Sequence, residues 1–210
     1  CPPRRASVPP LPQSARVGSP SASASGTYAA PKCTQNATGR DWYPKGKNNG
    51  YYKRRDEELI EGLRSWSPIM RYQSAEAIGK RGGDFAPTLI AMLDGKERYA
   101  RYGAAEALGR LGEKSAVDMI AVLLEDPERM MRIKAAEALQ RIGTKKSAEK
   151  LEKFLSSDDN YLKSLALDAI AASGDGKFFD EVIPLLDDES VMVRRSAIAA
   201  AFATGAEKSR

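Results

Sequence analysis

There is no histidine in this 210-residue chain. That absence removes Ser-His and Cys-His nucleophilic catalysis and every histidine-ligated metal site. Cysteine is nearly as scarce: Cys1 and Cys33 allow at most one disulfide and say little about redox compartment. No run of about 18 apolar residues occurs, so no membrane span is expected. No intact signal peptide is visible either. Glycines are present but not in phosphate-cradling order, and Gly79, Gly82 and Gly83 fit neither a Walker nor a dinucleotide motif. The chain opens on Cys1 rather than Met, so it is expected to be processed or a fragment. A mature bacterial lipoprotein begins this way, which would place it at the cell envelope instead of the cytoplasm.

Acidic residues are missing from the front of the chain. Residues 1–55 hold ten Lys or Arg against the single acid Asp41, a balance of +9 that leaves −4 for the remainder of a chain with net charge +5. The basic pI therefore belongs to the N-terminal segment, which weakens a nucleic-acid reading of residues 56–210. Residues 1–50 also hold eight of the twelve prolines and few large aliphatics. Such a segment cannot bury enough apolar surface to offset its ordering entropy, so residues 1–50 are expected to be a disordered tail or linker. Asn36-Ala37-Thr38 matches a glycosylation sequon, which matters only in a secreted eukaryotic protein. Aromatics and cations alternate from Trp42 to Arg55, through Tyr43, Tyr51 and Tyr52. They suit either base stacking or, as favoured here, a cover for the exposed end of a repeat array.

What is abundant is repetition. Arg101-Tyr-Gly-Ala-Ala-Glu-Ala-Leu-Gly-Arg-Leu-Gly112 recurs from Arg71 to Gly82 and from Arg132 to Gly143, and more weakly from Lys163 to Gly174 and Arg194 to Gly205. The closing glycines stand 30, 31, 31 and 31 residues apart. Heavy aliphatics at Leu59, Leu89, Ile120, Leu151 and Val182 are each followed four residues later by leucine, which marks one helical stripe per unit. Counting from each leading Arg or Lys, +4 is Ala75, Ala105, Ala136, Leu167 and Ile198, and +7 is Ile78, Leu108, Leu139, Ile170 and Ala201, a second stripe. A repeat of two helices cannot bury its apolar face alone, so neighbours must stack on one continuous interior. The expected fold is an all-α, right-handed α-solenoid of about five helix pairs over residues 51–210. The glycines fit positive-φ positions just past a helix, and Pro184 is expected to kink a first helix.

The stretch Leu-Leu-x-Asp-Pro-x-x-x-x-Arg-x-x-Ala-Ala-x-Ala-Leu-x-x-Ile-Gly, from Leu123 to Gly143, resembles the short HEAT-like repeats of bacteria named after the phycobilisome lyases. That resemblance covers about residues 56–205. It implies an armadillo/HEAT superhelix and a ladder in which Asp126 with Arg132, and Asp188 with Arg194, tie neighbouring repeats. Ser65 and Ser157 replace the Asp elsewhere and Lys163 replaces the Arg, so the ladder is expected to be incomplete and the first and fourth units less firmly specified. The iron-dependent hydroxylases of the family need paired His-Glu motifs, and this chain has no His.

Function is sought on the second helices. Glu76, Glu106, Glu137 and Asp168, at +5, are expected to form an acidic column on the inner face. A cation or a basic peptide could use it, but Lys80, Arg110 and Arg141 follow four residues later, and i, i+4 pairs more often mark a solvated face. Variable residues at +1 and +2 include Tyr72, Gln73, Tyr102, Ile133 and Lys134. Tyr72, Tyr102 and Ile133 either form an apolar strip that anchors a peptide or pack between adjacent helices. The last helix, with Ala197 to Ala203 almost wholly apolar, lacks the polar outer face a terminal repeat needs, and self-association there is expected. The sequence-based reading is a non-enzymatic scaffold that needs no cofactor and binds a protein or peptide at Tyr72, Gln73, Glu76, Tyr102, Glu106, Ile133, Lys134 and Glu137. Nucleic-acid binding through residues 42–55, and a lyase-type enzyme subunit, are the alternatives.

Overall fold

The computed structural model describes residues 54–208. The expectations for the tail, Cys1, Cys33 and most of the 42–55 segment lie outside those residues. Among the described residues there is no strand, and ten α-helices form five pairs. The first helices are α1 (Asp56–Arg64), α3 (Ala86–Leu93), α5 (Val117–Val122), α7 (Lys145–Leu151) and α9 (Phe179–Val182). The second helices are α2 (Pro68–Arg81), α4 (Arg98–Leu111), α6 (Arg129–Ile142), α8 (Asn160–Ser173) and α10 (Val191–Lys208). This is the expected α-solenoid. Successive second helices pack directly on one another, whereas successive first helices barely touch. A stack held tightly on one side and loosely on the other curves, with α2, α4, α6, α8 and α10 on the inside.

The two predicted stripes make the interior. Leu59, Leu89, Ile120, Leu151 and Val182 are all fully buried, as are Ile78, Leu108, Leu139 and Ile170. At roughly 25 cal/mol per Å² of apolar surface, these side chains are the main stabilising force. The interior has two parts joined through a shared side chain. One buried cluster runs from Leu59 to Ala169, a second gathers Leu167, Ile170, Phe178, Val182 and Val193, and Leu155 packs against both. Opposite faces of α8 feed the two.

Punctuation follows the expectation in four repeats and departs from it in the fifth. Gly82, Gly112, Gly143 and Gly174 have φ between 61° and 68°, each just past a second helix. Gly205 instead lies inside α10, where a Cβ would stand 2.9 Å from the Phe179 ring. It serves close packing, not termination. Pro184 also departs: the first helices of repeats three, four and five all finish as 3-10 turns (Leu123–Glu125, Glu152–Ser156, Ile183–Asp187), and only the last contains proline. The tightening belongs to the repeat, and Pro184 occupies a turn that needs little from its missing N–H.

The ladder differs from its expected form. Arg132 donates to the carbonyls of Asp126 and Pro127 in its own turn, at 2.9 and 3.1 Å, and Arg194 does the same to Asp188 and Glu189. The Asp126 carboxylate receives Arg101 from the preceding repeat, and Asp188 receives Lys163 at 2.8 Å. The second oxygen of each Asp accepts the N–H two residues on, at Glu128 and Ser190. Ser65 and Ser157 make that same turn with their hydroxyls, at 3.2 and 3.1 Å. Serine therefore keeps the turn specified and loses only the ion pair. Cross-repeat pairs also link first helices, each joining an acid to a lysine 28 residues on: Asp118 to Lys146, Glu125 to Lys153, and Glu149 to Lys177.

Candidate interaction surface

On a second helix, residues seven apart lie almost two turns apart on one side. The +1, +4 and +8 residues share the side that meets the next second helix. Its closeness is visible at Gly79, where a Cβ would fall 2.7 Å from that of Arg110, and at Gly109, where it would fall 2.8 Å from Ala138 Cα. This is why, of the two alternatives for Tyr72, Tyr102 and Ile133, packing between adjacent helices holds for the last two. Tyr102 and Ile133, both at +1, are buried. The Tyr102 hydroxyl has no hydrogen-bond partner among the described residues, and burial together with the nearby Glu128 carboxylate pushes its ionisation up to about 12. Of the three strip residues only Tyr72 is exposed, with the Arg110 guanidinium 4.3 Å from its ring centroid. Gln73 is half-buried beside it.

The side that faces inward carries −2, +5 and +9 instead, while the +2 residues Gly103, Leu165 and Ser196 are buried. Sequence periodicity does not single out the −2 column: Ile69, Tyr99, Met130, Tyr161 and Met192, spaced like the glycines. Ile69, Met130, Tyr161 and Met192 are exposed, and Tyr99 is held between Arg71 and Arg98, each 4.9 Å from its ring centroid. Five large apolar residues at one repeat position, four of them left in water, form a ridge along the first turns of the second helices. The signal is present in the sequence, one turn ahead of the candidate site residues.

The acidic column exists, and three of its four carboxylates, those of Glu76, Glu106 and Glu137, are paired within it. Glu76 pairs with Lys80 at 2.7 Å and Glu106 with Arg110 at 3.1 Å. Glu137 does not take Arg141. It takes Lys134 at 2.8 Å, three residues earlier, and the Tyr161 hydroxyl donates to it at 2.9 Å. Burial and that carboxylate push the Tyr161 phenol up to about 12. Lys134 also lies 3.9 Å from Glu106, so it bridges two repeats. Arg141, exposed and without an ion pair among the described residues, helps Glu76, Lys80 and Arg110 line an open groove of about 380 Å³ floored by Gly79 and Gly109. Across the inner face the order is thus apolar ridge, paired carboxylates, then cations. Such a surface offers anchoring and charge selection. No group of three metal-ligating side chains occurs among the described residues, and no helix there is long and apolar enough to cross a membrane.

Comparison with known proteins agrees with this geometry. Residues 86–171 match the family described as HEAT repeats. No curated protein matches the chain. The complex of CpcE and CpcF of phycocyanin lyase from Nostoc sp. PCC7120 is similar with a TM-score of 0.60 at 24% identity, over 80% of this chain and 69% of that one. YIBA of E. coli gives 0.60 at 22%, over 80% and 67%. A designed armadillo repeat protein in complex with the peptide (KR)4 gives 0.52 at 18%, over 70% and 80%. Identities this low speak to fold alone. The family match identifies HEAT repeats at residues 86–171, and the stacked helix pairs carry the same HEAT-like architecture through the described residues.

Proposed function

We propose that the protein is a non-enzymatic interaction scaffold that holds a protein or peptide on its inner face. The observation that carries this reading is the exposed ridge of Ile69, Met130, Tyr161 and Met192 beside a row of paired charges. Large apolar side chains repeated at one position and left in water cost solubility, and a bound partner relieves that cost. The charge rows add selection more than strength, because Glu76, Glu106 and Glu137 each already have an internal cation. A purely cationic ligand like the one on the designed armadillo protein would have to displace Lys80, Arg110 and Lys134. The fitting partner therefore presents apolar side chains to the ridge and mixed charge to the groove. The likeness to a phycocyanin lyase complex extends to fold alone.

The test is affinity capture by the full chain and by an Ile69→Asp, Met130→Asp variant, with captured proteins quantified by mass spectrometry. Proteins held by the parent chain and lost from the folded variant are expected. Equal capture by both would remove the ridge from the mechanism.

A further inference from the structure

A different surface goes beyond the inner-face reading. On α10, Val191, Arg195, Ile198, Ala199 and Phe202 face outward, with Ile198 62% and Phe202 83% exposed. Ile198 is the +4 residue, and the four earlier occupants of that position, Ala75, Ala105, Ala136 and Leu167, are buried completely. The stripe is the one by which each second helix meets the next. Phe202 is the +8 residue, where the first two repeats have Gly79 and Gly109 and no room for even a Cβ. At +8 the regular register holds Gly79, Gly109, the half-buried Gln140 and Ala171, and never an aromatic ring like that of Phe202. The face is apolar in the manner of a buried interface, yet shaped for something other than that register.

We propose that α10 packs antiparallel against α10 of a second copy, about a two-fold axis between Ile198 and Ala199. In that register Phe202 of each copy meets Arg195 of the other, Ile198 meets Ala199, and Val191 meets Ala206. Ala199, Ala203 and Ala206 leave the helices free to approach closely and give the ring its space. Arg195 is the single charge on the stripe and has no ion pair among the described residues. A guanidinium laid on an aromatic ring is the contact this chain already uses between repeats, Arg110 on Tyr72 at 4.3 Å and Arg71 on Tyr99 at 4.9 Å. Two-fold symmetry makes the contact twice and closes the assembly at a dimer. The charge also suits this pairing, since a cation facing a ring loses less than one facing an aliphatic surface.

Sedimentation equilibrium of the full chain, from low micromolar to several hundred micromolar, tests the proposal. A monomer–dimer equilibrium that does not grow beyond dimer is expected. Phe202→Asp should abolish it with unchanged circular dichroism, because the residue is exposed in the monomer. Phe202→Arg alone sets two guanidinium groups against each other and should weaken it about tenfold, and adding Arg195→Phe should restore it, since the swap recreates both contacts in the antiparallel register. Val122→Asp, an exposed first-helix residue outside both surfaces, should leave it unchanged. A monomer at every concentration, a dimer that survives Phe202→Asp, growth past dimer, no rescue by the double swap, or dissociation by Val122→Asp would overturn the proposal.

Discussion

Arg110 lies over the ring of Tyr72, 4.3 Å from its centroid, and bonds Glu106 on its own helix at 3.1 Å. One cation thereby ties the first two second helices while the tyrosine stays half in water. Tyr102, the equivalent residue one repeat on, is buried beneath the same kind of contact from Arg71, 5.8 Å from its ring centroid. The two tyrosines should separate in experiment. Tyr102→Ala is expected to cost about 3 kcal/mol or more in chemical denaturation, through the cavity it leaves. Tyr72→Ala should cost about 1 kcal/mol, the scale of an exposed cation–π contact. Equal losses would mean that the tyrosines share one environment.

Asp126 does two jobs, accepting the Glu128 N–H at 2.9 Å and the Arg101 guanidinium of the preceding repeat. Asp126→Ala leaves both donors stranded and should cost roughly 2–4 kcal/mol. Asp126→Ser, which copies Ser65 and Ser157, should recover the turn and roughly half of that loss. If alanine and serine behave alike in urea unfolding, the turn hydrogen bond contributes nothing measurable.

Gly109→Ala adds one methyl against the Ala138 backbone, at 2.8 Å from its Cα. Backbone cannot yield as a flexible side chain can, so the expected loss is about 1–3 kcal/mol despite alanine's better helix propensity. An unchanged or raised melting temperature would show that α4 and α6 have slack.

Acid should loosen the array. Lys146 holds Asp118, Lys153 holds Glu125, Lys177 holds Glu149 and Lys163 holds Asp188 below their ordinary ionisation ranges. Burial opposes the charge on Asp126, but the Glu128 N–H and Arg101 outweigh it and its pKa is lowered too. A carboxyl with a depressed folded-state pKa contributes stability that is complete above its unfolded value near 4 and lost as pH falls through the folded value. Thermal unfolding should thus be nearly flat from about pH 5 to pH 8, where a chain without histidine has little to titrate. It should fall steeply below about pH 4. A midpoint that rises on acidification would contradict the cross-repeat pairs.

Most of the architecture is legible in the sequence, because a 31-residue period with two apolar stripes has few ways to bury both. The helix pairs, the buried aliphatics at +7 and four of the five glycine stops come from that alone. The binding surface is less legible. Tyr102 and Ile133 look like variable surface residues, yet they lie on the stripe that closes on the next helix. The ridge at Ile69, Met130, Tyr161 and Met192 escapes notice because it precedes the repeated Arg-to-Gly block within each unit. Likewise Glu137 has a base at both three before and four after, and spacing cannot choose between Lys134 and Arg141.

Local chemistry set the periodic features: helix length, turn acceptors at Asp126 and Ser157, and the small residues that allow close packing. These depend on neighbours within a few residues, so a single repeat contains the information. Which side of each helix meets water depended on the distance between successive second helices. That distance arises from the summed packing of all five units, and no one repeat contains it. The joining of the two buried clusters at Leu155, the burial of Tyr102 and the exposure of Phe202 are consequences of that stacking geometry.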